Sequence, residues 1–150
     1  MAAVLKVGGT TRLGKPNRRN NVNTSIIRAT GRGAAMRTIL IVEDEYFIAD
    51  DCATLARQAG YHVVGPFASI DEARPHASAA SGALIDVNVN GTSSYKLIDA
   101  LLEMGTPVTL YTGYDASTLP DKYAHLPVVT KPRGCAEALG ILCKQMSFAE

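Results

Sequence analysis

The sequence has no tryptophan, and aromatic residues make up only 6% of its 150 positions. A core of ordinary size must therefore be aliphatic, built from Val, Ile, Leu and Ala. Hydrophobic residues reach 47%, which excludes a chain disordered throughout. Cysteine is scarce and odd in number: Cys52, Cys135 and Cys143, with no CxxC pair. That excludes a secreted disulfide scaffold and a cysteine-ligated metal finger. The three read as small apolar residues on helix faces, and the chain as a protein of the reducing cytoplasm. No apolar run approaches the ~20 residues of a membrane span. The first residues also lack the apolar stretch of a secretory signal.

Acids are missing from residues 1–35, which carry Lys6, Arg12, Lys15, Arg18, Arg19, Arg28 and Arg32. The remainder holds eight basic residues against all 14 acids, a balance of −6. Residues 1–36 are rich in Gly, Asn, Thr and Arg and show no sustained periodicity, so they read as a flexible basic arm. Such an arm would meet nucleic acid or anionic lipid through charge alone. An organelle transit peptide shares its Arg-rich, acid-free composition.

From Thr38 onward, short apolar runs alternate with helix-length segments. Strands are expected at 38–42 (TILIV), 62–65 (HVVG), 83–87 (ALIDV), 107–111 (PVTLY) and 127–130 (PVVT). Helices are expected at 45–59, with Ile48, Cys52, Leu55 and Ala59 inward and Gly60 closing it, and at 69–79, with Ser69 as N-cap. Further helices are expected at 93–104, with Leu97, Ile98, Leu101 and Leu102 inward and Gly105 closing it, and at 134–146, with Leu139, Leu142, Cys143 and Met146 inward. Residues 116–124 make at best a short helix, because Pro120 interrupts it. Five strands alternating with helices predict an α/β fold with a doubly wound parallel sheet. Such sheets bind ligands beyond the carboxyl ends of their strands.

Those ends carry Glu43-Asp44-Glu45, Asp86, Thr112-Gly113 and Lys131-Pro132. The fold would gather carboxylates, a hydroxyl and an ammonium at one edge. Clustered carboxylates attract a hard cation, and Mg²⁺ accepts one or two of them along with water and phosphate oxygens. Asp44 and Asp86 can supply direct ligands, and Glu43 can hold a metal-bound water. Screened by the ion, Asp86 becomes a nucleophile for a phosphoryl group. Lys131 and Thr112 can bind the phosphoryl oxygens. Taken singly, each of these residues is an ordinary loop acid, turn or helix-start acid. Four signals in order, each ending a separate expected strand, carry the reading.

ILIVEDE, ALIDVNVNG, YTGY and VVTKP resemble the receiver domains of bacterial response regulators, the CheY-like family, over about Arg37 to Met146. The resemblance implies a flavodoxin-like, five-stranded sheet of order 2-1-3-4-5 and a receiver domain at 37–147. It implies phosphorylation of Asp86 by a histidine kinase or histidine phosphotransfer protein, with Mg²⁺ bound by Glu43 (via water), Asp44, Asp86 and the backbone carbonyl of Asn88. Thr112 matches the family's switch hydroxyl and Lys131 its lysine, and the Lys131-Pro132 bond is expected to be cis. Glu43 stands where Asp is commoner. Val128 occupies the position of a frequent switch aromatic, which excludes an aromatic flip there. PVTLYTGY loosely resembles the PFxFATGY motif of one receiver subgroup, and Tyr114 is placed to cover the site.

Met36 opens a complete receiver pattern, which favours a natural start there. The few residues after the last helix leave no room for an output domain. A stand-alone, non-enzymatic receiver is expected, acting by docking to a downstream protein, without direct DNA binding. Two rivals differ in class. A haloacid-dehalogenase-type phosphatase also uses an aspartate and Mg²⁺, but its DxDx pattern is absent from the end of the first strand. A degenerate receiver acting only as a binding module would lack part of the residue set found here.

Overall fold

A computed structural model describes residues 36–149. The basic arm expected over 1–36 lies outside the described residues, apart from Met36. Five strands form one parallel sheet: β1 (Thr38–Val42), β2 (His62–Phe67), β3 (Gly82–Ile85), and two later strands, β6 (Val108–Thr112) and β7 (Val128–Thr130). A separate antiparallel hairpin pairs β4 (Asn88–Val89) with β5 (Thr92–Ser93). The sheet order is β2-β1-β3-β6-β7. With the hairpin set aside this is the expected 2-1-3-4-5, a doubly wound α/β fold.

The period-2 alternation of the strands divides the core in two. Ile39 and Ile41 of β1, Leu84 of β3, Tyr111 of β6 and Val129 of β7 face one side. There they meet helices α1 (Tyr46–Gln58) and α4 (Cys135–Phe148). Leu40, Val42, Ala83, Ile85, Val108 and Leu110 face the other side. They meet the short helix α2 (Ile70–Ala73) and helix α3 (Tyr95–Glu103). Leu97, Ile98 and Leu101 of α3 and Leu139, Leu142, Cys143 and Met146 of α4 are buried as expected, while Leu102 is only half-buried. Gly60 and Gly105 take positive φ just past α1 and α3, where a left-handed residue closes a helix.

Four local expectations need correction. The inward face of α1 consists of Ala49, Cys52, Ala53 and Ala56, while Ile48 and Leu55 are only half-buried at its rim. Small residues let α1 lie close to the sheet, which turns the larger pair toward α4. The helix expected at 69–79 is α-helical only over Ile70–Ala73 and continues as 3₁₀ turns over Arg74–Ala79. Pro75 lacks the N–H for an α-helical bond. Ser69 does cap this helix, accepting the Glu72 N–H at 3.4 Å. Residues 116–124 form two 3₁₀ turns, Ala116–Thr118 and Asp121–Tyr123, in place of a helix. The Asp115 carboxylate accepts the Ser117 N–H at 2.8 Å, which favours a tight turn, and Pro120 separates the two turns. The β2 strand runs two residues further than expected, through a cis Gly65-Pro66 bond. A proline is tolerated there because β2 is an edge strand.

Candidate functional site

Backbone hydrogen bonds carry the strand ladders one residue past their ends and so fix where the site residues stand. Glu43 donates its N–H to the Phe67 carbonyl at 2.9 Å. Asp86 donates to the Val42 carbonyl at 3.0 Å, and Lys131 to the Thr112 carbonyl at 2.8 Å. The carboxylates of Glu43, Asp44 and Asp86 thereby converge, each offering an oxygen within 4.8 Å of the others. Glu43 and Asp86 are buried. The Lys131 ammonium lies 2.7 Å from Glu43 and 2.9 Å from Asp86, with the exposed Glu45 at 3.4 Å. It also sits 5.6 Å above the centre of the Tyr111 ring.

Three acids against one lysine leave the pocket negative. Burial holds the Glu43 carboxyl above its ordinary range, although Lys131 and the Glu45 N–H oppose this. Burial alone would pull the Lys131 ammonium down, but the hydrogen bonds and charges of Glu43 and Asp86 together push it up. The two partners' shifts do not mirror each other because Lys131 has two carboxylates and Glu43 has one ammonium. Lys131 is charged throughout the ordinary pH range. Buried oxygens in excess of the available positive charge are what a hard divalent cation requires, and this donor set fits Mg²⁺.

Each acid is also held by a backbone N–H. Glu43 accepts from Glu45 at 3.0 Å, Asp44 from Asn90 at 2.9 Å, and Asp86 from Asn88 at 3.4 Å. The hairpin supplies two of these donors. Asn90 (φ 51°) and Gly91 (φ 77°) both take positive φ, the requirement of a type I′ turn. The Asn90 side chain donates to the Ala68 carbonyl at 2.7 Å, tying the hairpin to the end of β2.

Two positioning residues escaped the sequence reading. Asn90 is one, although the Asn-Gly pair marks a hairpin turn. Ser94 is the other: fully buried, its hydroxyl lies 2.7 Å from the Asp86 carbonyl and 3.0 Å from that of Val87. The only local cue was a serine just before a helix. Of the expected residues, Glu43, Asp44, Asp86 and Lys131 meet directly, and Asn88 joins them through its N–H. Thr112 ends β6 fully buried, and its hydroxyl oxygen accepts the Tyr114 N–H at 3.3 Å. The Tyr114 side chain is exposed. The Lys131-Pro132 bond is cis, as expected. Among the described residues no helix is long and apolar enough to cross a membrane.

No family model matches the chain. No curated protein matches it either. Solved structures do. A response regulator receiver protein from Sinorhizobium medicae WSM419 is 19% identical with a TM-score of 0.65, covering 77% of this chain and 98% of its own. SdrG from Sphingomonas melonis Fr1 is 24% identical with a TM-score of 0.65, covering 76% of this chain and 98% of its own. The response regulator PhyR from Brucella abortus is 24% identical with a TM-score of 0.63, and 84% of this chain spans 52% of PhyR. In sheet order, in helix placement and in these likenesses, the chain has the receiver fold of CheY-like response regulators.

Proposed function

We propose that residues 37–147 form a phosphoacceptor receiver of a two-component phosphorelay, with Asp86 taking the phosphoryl group. One observation carries this reading. The Asp86 carboxylate is buried, hydrogen-bonded to an ammonium at 2.9 Å, and within 4.8 Å of two more carboxylates. Asp44, Asp86 and the Asn88 backbone carbonyl would hold Mg²⁺ directly, and Glu43 through water. The ion supplies charge neutralisation and alignment for the incoming phosphoryl group.

The chain's own residues do the rest. Asp86 presents a carboxylate oxygen, while Ser94 and the Asn88 N–H hold its backbone and side chain in place. Lys131 exchanges its bond to Asp86 for one to a phosphoryl oxygen, a charge-assisted contact. Thr112 turns its hydroxyl toward the same group and so alters its contact with the Tyr114 N–H. That contact begins the 113–127 segment. A differential stabilisation of ~2–3 kcal/mol would take a minor conformation of that surface to the majority. The donor is a histidine kinase or histidine phosphotransfer protein. The output is docking to a downstream protein in the cytoplasm, without catalysis on other substrates.

The test is incubation with Mg²⁺ and acetyl phosphate, read by intact mass. Wild type should gain one phosphoryl group as an acyl phosphate labile to hydroxylamine, and Asp86→Asn should gain none. Equal labelling of the two proteins defeats the assignment.

A further inference from the structure

Three contacts from the end of β6 converge on the loop that carries Lys131. Two of them come from Tyr111, which is buried on the side of the sheet covered by α1 and α4. Its ring lies 5.6 Å from the Lys131 ammonium, inside the ~6 Å over which a ring face attracts a cation. Its hydroxyl donates to the Arg133 carbonyl. The third comes from Thr112, whose carbonyl accepts the Lys131 N–H at 2.8 Å. Two consecutive residues of β6 therefore hold Lys131 at its backbone and at its ammonium, and hold the chain again two residues on. Helix α4 begins at Cys135, directly after this loop. The loop's other ties are slighter. The Arg133 N–H reaches the Thr130 carbonyl at 3.2 Å, and the Arg133 side chain meets Glu137 at 3.4 Å in an exposed pair.

Packing alone would ask only for bulk at position 111. A buried ring needs no hydroxyl, and a hydroxyl placed there must find a partner. That partner lies in the same loop as the ammonium over the ring, and the coincidence separates positioning from packing. The ring is also a wall of two spaces. One is the floor of the pocket beneath Glu43 and Asp86, and the other is a surface groove lined by Glu45, Pro132 and Gly134.

We propose that Tyr111 is a positioning residue for Lys131: its hydroxyl fixes the loop from Lys131 to Gly134, and its ring holds the ammonium between Glu43 and Asp86. The inference deepens the phosphoacceptor reading and rests on it for the chemical step. A lysine is a point charge on a flexible four-carbon stem, so its place depends on what holds its base. The ring is uncharged and attracts the ammonium without taking up one of its N–H groups. Lys131 can then turn an N–H from Asp86 to a phosphoryl oxygen while its stem stays in place. Without the hydroxyl the loop loosens, and the ammonium is less often where the phosphoryl group arrives.

Tyr111→Phe in the full chain tests this, because phenylalanine keeps the buried ring and removes the hydroxyl alone. Amide hydrogen exchange is read first, with neither metal nor phosphoryl donor present. The Lys131 amide should exchange about fivefold faster than in wild type, the weight of one lost hydrogen bond. The Leu110 amide, bonded to the Pro127 carbonyl in the same strand, should keep its rate. Labelling with Mg²⁺ and acetyl phosphate is then followed by intact mass. Its rate should also fall about fivefold, with the urea midpoint and the Mg²⁺ titration of wild type retained. A role in packing alone would leave that rate unchanged. Wild-type exchange at Lys131 in the variant, or wild-type labelling, overturns the proposal. Equal acceleration at Lys131 and Leu110 marks general loosening and overturns it too. Absence of labelling in the wild type strikes the phosphoacceptor reading instead, and the Lys131 exchange still decides whether Tyr111 holds the loop.

Discussion

The carboxyl edge of the sheet has two halves that are built in opposite ways. In the acid half, at the ends of β1 and β3, each carboxylate is held by a backbone N–H, and Lys131 bridges two of them. In the other half, β6 ends at Thr112, and residues 113–118 that follow are all exposed. The segment 113–127 has no regular helix and is seated by three buried side chains, Leu119, Tyr123 and Leu126. Its capping bonds are local, from Ser117 and Thr118 back to Asp115. Tyr123 links the segment to α3, stacking on Tyr95 at 4.8 Å and donating its hydroxyl to Asp99 at 2.8 Å, and the Lys122 ammonium pairs with the same Asp99 at 2.9 Å. On the proposed function, the contrast separates two tasks. Binding a cation requires groups that are already in place, whereas a surface that responds must come from the weakly held end of the stability range.

The sharpest way to separate the halves is to loosen one alone. Tyr123→Ala removes a buried ring and should destabilise the protein by about 3 kcal/mol in urea unfolding. Calorimetric Mg²⁺ titration should be unchanged, because the Tyr123 contacts run to Tyr95, Asp99 and Lys122 and not to Glu43, Asp44 or Asp86. A parallel loss of Mg²⁺ affinity would show the two halves to be one unit. The converse change is Asp44→Ala. It should weaken Mg²⁺ binding at least about tenfold, since outer partners alone are worth about 10–100-fold in metal sites. An unaltered titration would remove Asp44 from the donor set.

A smaller effect is expected at Ser94, whose hydroxyl lies between two buried carbonyls. Ser94→Ala should cost about 1 kcal/mol of stability and slow phosphorylation of Asp86 from acetyl phosphate. Wild-type rates in a destabilised variant would reduce Ser94 to a packing role.

The smallest effect concerns Glu43. Its carboxyl is raised in the folded state, mainly by burial, so the folded protein binds that proton more tightly than the unfolded chain. The resulting stability is present below the ordinary carboxylate value of 4.5 and is lost as pH rises through the raised one. In EDTA, wild type should therefore lose stability relative to Glu43→Gln as pH rises from acid toward neutrality. Parallel stability curves for the two proteins would contradict the shift.

Much of this was readable beforehand, and for definite reasons. TILIV and its successors are runs buried on both faces, so their composition alone marks strands of a covered parallel sheet. Once the strands are placed, their last residues are the edge, and Glu43, Asp44, Asp86, Thr112 and Lys131 follow. The inward face of α1 was misread because Ile48 and Leu55 are more apolar than Ala49 and Ala53. Apolarity does not reveal how closely a helix approaches its sheet. Ser94 and Asn90 were missed because their roles are made by carbonyls and carboxylates up to 46 residues distant. The sequence by itself determined which segments alternate and which chemical groups end each strand, since periodicity and composition are local properties. The tertiary structure alone decided that Lys131 spans Glu43 and Asp86 and that Asn90 braces Asp44. Those contacts depend on how strands and helices far apart in the chain are stacked, and no local pattern encodes that distance.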